Sequence, residues 1–293
     1  MAEAPPTPRE RAAAVRTARH LGASVLRGWG MATAGLRPPP DFLLIGTKRG
    51  GTTSLGRYLF AHPRVARLFP AQATPKGVRY VDEHADRSAR WYRSHFATVL
   101  SRGPAMHPRK QAGEATANYL FQPGGAARAA AVAPDARILV LVRDPVERAW
   151  SHWRERTRRG VETLSFEDAL AAEERRVEAA VAVGDGSAGN VAYRAQGRYA
   201  ELLPPWIERF GRDRVLVLVS EEFFADPAVA YARALAFLAL EPFELDGYPA
   251  YNFREPRERM REDTRAELDE HFAPWNRRLE ALLDRELPWS HRP

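Results

Sequence analysis

Three unbroken apolar runs punctuate the chain: Phe42-Leu43-Leu44-Ile45, Ile138–Val142 within Arg137–Val142, and Val215–Val219 within Arg214–Val219. Their shortness and β-branched content predict strands covered on both faces. Further short strands are predicted at Val65–Phe69, Val78–Val81 and Gln111–Thr116. Between the runs, apolar positions recur at helical spacing. Helices are predicted over Ser54–His62, Ser88–Leu100, Gly124–Val132, from Pro145 onward, Phe166–Val183, Arg198–Phe210, Pro227–Leu240 and Thr264–Leu283. Pro145 sits at a favoured first-turn position, and Ser165 with Asp168 makes a capping-box-like start. Pro204 and Pro205 mark a break within Arg198–Phe210. Gly184–Gly189 reads as a flexible link and Pro242–Glu258 as irregular. The alternation predicts an α/β fold of three layers, a central mostly parallel sheet flanked by helices. In such sheets ligands bind beyond the C-terminal strand ends. The loops after Ile45 and Val142 then share one rim.

The first of these loops is rich in glycine and cations: Gly46-Thr47-Lys48-Arg49-Gly50-Gly51, followed by Thr52, Thr53 and Ser54. Glycines let a backbone approach a phosphate, and the amides of the following helix start face the anion. Gly46, Gly51 and Thr53 keep the spacing G-x-x-x-x-G-K-[ST] of a P-loop. The lysine position, however, is Thr52, and the cations stand earlier, at Lys48 and Arg49. The second loop, Arg143-Asp144-Pro145-Val146-Glu147-Arg148-Ala149-Trp150-Ser151, places a guanidinium just past a strand tip and a hydroxyl two turns into the next helix. Arg148 and Ser151, three apart, are expected to share a helix face. Two anion sites on one rim predict a ligand with two separate phosphate groups.

Charge narrows the class. The 293 residues carry a net charge of +7. Residues 1–40, with six Arg against Glu3 and Glu10, hold +4 of it, leaving +3 for the rest. The body is therefore not a nucleic-acid binder, and a small anionic ligand fits better. Only Lys48, Lys76 and Lys110 are lysines among 44 basic residues, so a lone Arg carries little information. Cysteine is absent, which excludes disulfides and thiolate chemistry. No apolar run is long enough to span a membrane, and no uninterrupted hydrophobic segment marks a secretory signal, so a cytoplasmic location is expected. Residues 1–40 read as a basic Pro/Ala/Arg-rich extension ended by Pro38-Pro39-Pro40, and residues 41–293 as one domain. Val15, Leu21, Val25, Leu26 and Trp29 fall loosely on one helical face. That pattern allows residues 9–36 to lie on a membrane surface; a frayed tail or a helix packed on the body is the competing reading.

Taken together, G-x-x-[KR]-x-G-T-T and R-D-P-x-x-R-x-x-S resemble the sulfotransferases that use 3′-phosphoadenosine 5′-phosphosulfate (PAPS), in particular the bacterial and heparan-sulfate-type branch. The resemblance extends to WYRSHF at Trp91–Phe96, GEATANYLF at Gly113–Phe121, ETLSFEDAL at Glu162–Leu170, GRYAELLPPW at Gly197–Trp206 and VLVSEEFFADP at Val217–Pro227. It covers about residues 41–290. It implies a P-loop-containing fold and transfer of a sulfuryl group to a hydroxyl or amine of a carbohydrate, lipid or small molecule. It further implies that Arg49 neutralises the departing phosphate, with Lys48 beside it. Gly50, Gly51, Thr52, Thr53 and Ser54 would cradle the 5′-phosphate. Arg143 and Ser151 would grip the 3′-phosphate, and Arg198 and Tyr199 would touch cofactor or acceptor. Arg254, Arg257 and Arg259 lie where relatives carry a loop that closes over the nucleotide. The displaced P-loop lysine fits a scheme that needs no metal.

One position departs from the pattern. Relatives carry K-E-x-H-[FY]-F-D with the Glu as general base, whereas this chain reads Lys76-Gly77-Val78-Arg79-Tyr80-Val81-Asp82. Asp82, Glu83, His84 and Glu114 are the alternative bases, with Glu114 equally readable as an ion-pair partner for an Arg. Gly77 keeps a nucleotide-binding pseudoenzyme in view. A kinase or NTPase, with Asp144 as its metal-side carboxylate, is the further alternative. Neither the acceptor nor the oligomeric state is legible.

Overall fold

The computed structural model describes residues 24–70, 77–103, 109–184, 187–251 and 259–290. Lys76, Arg254, Arg257 and residues 9–23 of the N-terminal extension lie outside the described residues. Five strands form one parallel sheet: β1 (Phe42–Gly46), β2 (Val65–Ala66), β3 (Gln111–Ala115), β4 (Arg137–Val142) and β5 (Val215–Val219), in the order β2-β3-β1-β4-β5. Leu44 lies opposite Ala115 on one side and Leu139 on the other, and Ile138 to Val142 run in register with Val215 to Val219. With β3 and β4 on opposite sides of β1, a crevice opens above the C-terminal end of β1.

The helices are α1 (residues 24–32), α2 (Thr52–Ala61), α3 (Ala89–Arg93), α4 (Gly125–Val132), α5 (Pro145–Arg158), α6 (Phe166–Ala171), α7 (Glu173–Val183), α8 (Tyr199–Leu202), α9 (Pro204–Phe210), α10 (Ser220–Ala225), α11 (Pro227–Phe237) and α12 (Glu262–Leu283). Strand alternation divides the core into two faces. Ile138, Val140 and Val142 pack with Ala129, Trp206, Phe210 and Leu279 from α4, α9 and α12. Leu139 and Leu141 pack with Leu55, Leu59, Tyr231 and Leu235 from α2 and α11. The result is the expected three-layer arrangement, and all five strands are parallel.

Local chemistry moved several boundaries. No strand forms at Val78–Val81; Val78 and Tyr80 give their N–H groups to side chains rather than to a ladder. The helix expected over Ser88–Leu100 ends at Arg93, where the Ser94 hydroxyl and the His95 ring both bind the Trp91 carbonyl. Such side-chain bonds compete with helix continuation. The helix expected over Phe166–Val183 breaks at Ala172 into α6 and α7, which turns buried Glu173 onto the N–H groups of Arg194 and Ala195 at 2.8 Å. Leu203 divides α8 from Pro204-led α9.

The described part of the extension is packed on the body. From α1, Arg27 donates to the Phe69 carbonyl at 3.1 Å and the Trp29 ring lies 5.6 Å from that of Phe69. Arg102 donates to the carbonyls of Pro38 and Pro39 and pairs with Asp41 at 2.7 Å. Among the described residues no helix is long and apolar enough to cross a membrane.

Candidate active site

The loop between β1 and α2 is held from three sides. Its first N–H, on Thr47, donates to the Leu141 carbonyl at 2.7 Å, and the Gly50 N–H closes onto the Thr47 carbonyl at 3.0 Å. The Ser220 hydroxyl donates to the Gly50 carbonyl at 2.6 Å, and the Arg143 guanidinium donates to the Arg49 carbonyl at 3.1 Å. A Cβ on Gly50 would stand 2.7 Å from Thr47 Cγ2 and 3.0 Å from the Leu141 carbonyl oxygen, so the turn closes this tightly only with glycine. Gly51 precedes α2 with φ +96° and supplies no capping side chain, and the first turn holds no acid. By contrast α5, α6 and α11 are capped by Asp144, Ser165 and Asp226. The start of α2 has no side-chain cap and no acid in its first turn, an arrangement compatible with an external anion.

Around this loop opens a cleft of about 580 Å³. It is lined by Lys48, Arg49, Thr52 and Thr53 of the loop and first turn of α2, by Ala115 at the end of β3 and by residues 116–118 after it. Gly77, Arg79, Asp82 and Glu83 also line it, with Glu155 and Arg156 of α5 and Arg159 at its C-cap. Ser187 and Asn190 close the rim.

The two loops read from the sequence meet here. Arg49 Nε donates to Ser151 Oγ at 3.0 Å, while Arg143 holds the Arg49 backbone. Burial lowers the Arg49 pKa, opposed by nearby Glu155. Lys48 Nζ reaches the Gly189 carbonyl at 3.4 Å and Asn190 Oδ1 at 3.3 Å. Burial, with Arg156 next, brings its pKa down to about 8. Tyr199, fully buried, accepts the Arg143 N–H at 3.4 Å and so backs that residue from inside.

Other expected residues sit elsewhere. Ser54 is buried and its hydroxyl accepts the Tyr251 N–H at 2.9 Å, so it supports that segment from beneath the loop. The Arg198 guanidinium lies over the Trp275 ring of α12, 5.5 Å from its centroid. Arg148 does not share a surface with Ser151; it is fully buried and donates to the Tyr193 carbonyl. Asp144 caps α5 by accepting the Val146 N–H at 2.9 Å, a structural use for the carboxylate the NTPase alternative needs. Arg259 is exposed.

Asp82 is held by three other residues of the cleft lining. Its carboxylate accepts the Glu83 N–H at 3.0 Å and Asn118 Nδ2 at 3.4 Å, with Arg79 Nη2 at 3.5 Å. Burial raises its pKa, and Arg79 pulls it back. Glu114 lies behind the wall with no exposure. It accepts four donors: the Val78 N–H at 2.6 Å, and the hydroxyls of Tyr92, Thr116 and Tyr119 at 2.7, 2.9 and 2.9 Å. Its described partners include no arginine, contrary to the ion-pair reading. Gly77 has no room for a side chain: a Cβ there would stand 2.4 Å from Thr116 Oγ1 and 2.6 Å from the Ala115 carbonyl oxygen.

Sequence reasoning missed Glu155, Arg159, Asn118 and Asn190. The signal for the first two was present, since Ser151, Glu155 and Arg159 recur every fourth residue along α5. For Asn118 and Asn190 there was none, because a cleft wall made of turns has no period.

A glycine-rich strand–loop–helix at the centre of a parallel sheet, latched to a second basic loop on the next strand, defines a P-loop-type α/β protein built for a phosphorylated ligand. The chain belongs to the sulfotransferase family: the profile described as "Sulfotransferase domain" matches residues 39–267. A solved sulfotransferase from Alicyclobacillus acidocaldarius is 32% identical and superposes with a TM-score of 0.66, covering 86% of this chain and 99% of that one. Mouse heparan sulfate glucosamine 3-O-sulfotransferase 3B1 is 28% identical over 75% of this chain and 51% of its own length. Human heparan sulfate glucosamine 3-O-sulfotransferase 6 is 26% identical over 87% of this chain and 75% of its own. The chain spans about half the length of several curated relatives it matches.

Proposed function

We propose that the protein transfers a sulfuryl group from PAPS to a hydroxyl or amine of an acceptor, with a carbohydrate hydroxyl the reading favoured by the names of its relatives and a lipid or small molecule the alternatives. The observation that carries this is the junction of the two loops, where Arg143 and Ser151 both bond to Arg49. When bound, PAPS supplies an electrophilic sulfuryl group and a phosphate leaving group. The uncapped start of α2, with Gly50, Gly51, Thr52 and Thr53, cradles the 5′-phosphate. Arg143 and Ser151 take the 3′-phosphate, which distinguishes this nucleotide from ATP. Arg49 and Lys48 neutralise the charge that develops on the phosphate as the bond to sulfur breaks. Arg49 acts as a fixed charge, since a guanidinium does not readily give up a proton.

Asp82 is the group we assign to receive the acceptor's proton. It belongs to the lining of the same cleft as Arg49 and Lys48, its burial favours proton uptake, and Asn118 and the Glu83 N–H orient it. Glu114, behind the wall and saturated with donors, is not placed to meet an acceptor.

The test is differential thermal stabilisation followed by transfer. Adenosine 3′,5′-bisphosphate raises Tm, and labelled sulfate passes from PAPS to an acceptor in a screen of glycans, lipids and phenols. A shift with ATP–Mg²⁺ and none with the bisphosphate overturns the reading.

A further inference from the structure

The segment Gly77–Glu83 forms one wall of the cleft without a strand or a helix of its own. Buried backbone N–H groups in such a segment must find partners elsewhere. Two of them do so through one carboxylate. The Val78 N–H donates directly to Glu114 at 2.6 Å. The Tyr80 N–H donates to the Tyr119 hydroxyl at 2.7 Å, and that hydroxyl donates on to Glu114 at 2.9 Å. Tyr92 and Thr116 fill the remaining acceptor positions. A carboxylate offers about four lone-pair sites, and all are used here. Glu114 is itself fixed by the sheet, in register with Leu43 of β1, three residues before the glycine loop begins.

We infer that Glu114, acting through Tyr119, is a positioning residue that sets the acceptor-side segment Gly77–Glu83 at a fixed distance from the cofactor loop. The segment carrying Asp82 is thereby gauged from the same strand pair that presents Arg49. This rests on the sulfotransferase reading for its consequence in catalysis, but the mechanical link can be measured without turnover.

Two conservative variants separate the link from general stability. Tyr119→Phe and Tyr92→Phe each take one hydroxyl from Glu114 and keep the ring. Only Tyr119 also holds a backbone N–H of the segment. Hydrogen exchange is read on peptides spanning residues 77–83, alongside Tm, kcat, acceptor KM and affinity for adenosine 3′,5′-bisphosphate. Tyr119→Phe is expected to speed exchange of the segment about tenfold or more and to lower kcat on the order of 10–100-fold, a size typical of misplaced catalytic groups. Tyr92→Phe is expected to leave both within about twofold at a comparable loss of Tm, and bisphosphate affinity holds in both. Glu114→Gln, which keeps shape and half the acceptor sites, is expected to fall between wild type and Glu114→Ala. Equal exchange in the two tyrosine variants, or a kcat loss that merely follows Tm in both, overturns the inference. Asp82→Asn is run in parallel. If it stays active while Tyr119→Phe does not, Asp82 is not the base and the positioning role stands; if the wild type transfers no sulfuryl group, the functional reading fails and the exchange data alone decide the link.

Discussion

Lys48 and Arg49 are adjacent cations with different chemistry. Arg49 stays charged, whereas Lys48 titrates near pH 8 because the cleft buries it beside Arg156. In the free protein this lowered value means the unfolded chain binds more protons between about 8 and 10.5, so the Lys48 contribution to stability rises with pH across that window. An anionic ligand restores the charged form. Binding of adenosine 3′,5′-bisphosphate at pH 9 is therefore expected to take up a proton, read by calorimetry in buffers of different ionisation enthalpy. Lys48→Arg should abolish that uptake while keeping affinity; uptake that persists in the variant removes the assignment. Arg49→Ala is expected to lower kcat on the order of 10²–10³-fold, the usual loss for a single group stabilising developing charge, with Arg49→Lys recovering part. Asp82→Asn is expected to lower kcat/KM roughly 10²-fold or more. It should also erase an acid limb that, because burial raises the Asp82 pKa, lies above the ordinary carboxylate range. At Gly77, installing the glutamate that the family pattern led one to expect is not expected to create a base. Its Cβ would collide with Thr116 and the Ala115 carbonyl, so Gly77→Glu should cost about 1–3 kcal/mol in stability by overpacking. A variant that melts like wild type and turns over faster would contradict that.

At the scale of the element, the unit that matters is β1, the glycine loop and α2. The strand is buried on both faces, the loop is latched by Leu141, Arg143 and Ser220, and the helix begins on a residue without a side chain. Gly51 lies in the left-handed region, where a non-glycine residue is strained by about 1–2 kcal/mol. Its absent Cβ would also meet the Phe224 ring at 3.0 Å. Gly51→Ala should therefore weaken bisphosphate binding more than it lowers Tm, since the strain falls on the amides that face the anion. A pure loss of Tm with unchanged affinity would place the anion elsewhere. In α5, capping by Asp144 frames the helix, Ser151 meets Arg49, and Glu155 one turn on lines the cleft.

Across the molecule, the sheet is the frame from which every site group is measured. Asp41, just ahead of β1, accepts from Arg102, Arg109 and the Ala112 N–H, at 2.7, 3.0 and 2.7 Å. Arg102 in turn holds Pro38 and Pro39, so this cluster ties the start of β1, the start of β3 and the N-terminal segment together. Arg102 is almost fully buried. Removing it strands the interactions it satisfies, and Arg102→Ala is expected to cost about 3 kcal/mol or more in urea unfolding. A loss under about 1 kcal/mol would show that water replaces it.

Much of the fold was legible because it rests on local, periodic signals. The apolar runs at Phe42–Ile45, Arg137–Val142 and Arg214–Val219 announced buried strands, and the glycines between Ile45 and Thr52 announced an anion loop. Their order along the chain implied a parallel sheet and one rim shared by the loops that carry Arg49, Arg143 and Ser151. What the sequence could not weigh was depth. Glu114 and Asp82 read as two equivalent acids, and the fold buries both, one among four donors beside the sheet and the other within the lining of the cleft. Arg148 and Ser151 sit three apart, yet Ser151 meets Arg49 while Arg148 is fully buried. Val78–Val81 has a strand's composition, yet side chains of β3 and Tyr119 take its N–H groups first. Sequence alone determined the glycine-rich strand–loop–helix, because backbone spacing and glycine sterics act over a few residues. The surroundings of Asp82 and Glu114 were decided only by tertiary structure, because burial and non-local hydrogen bonds set them.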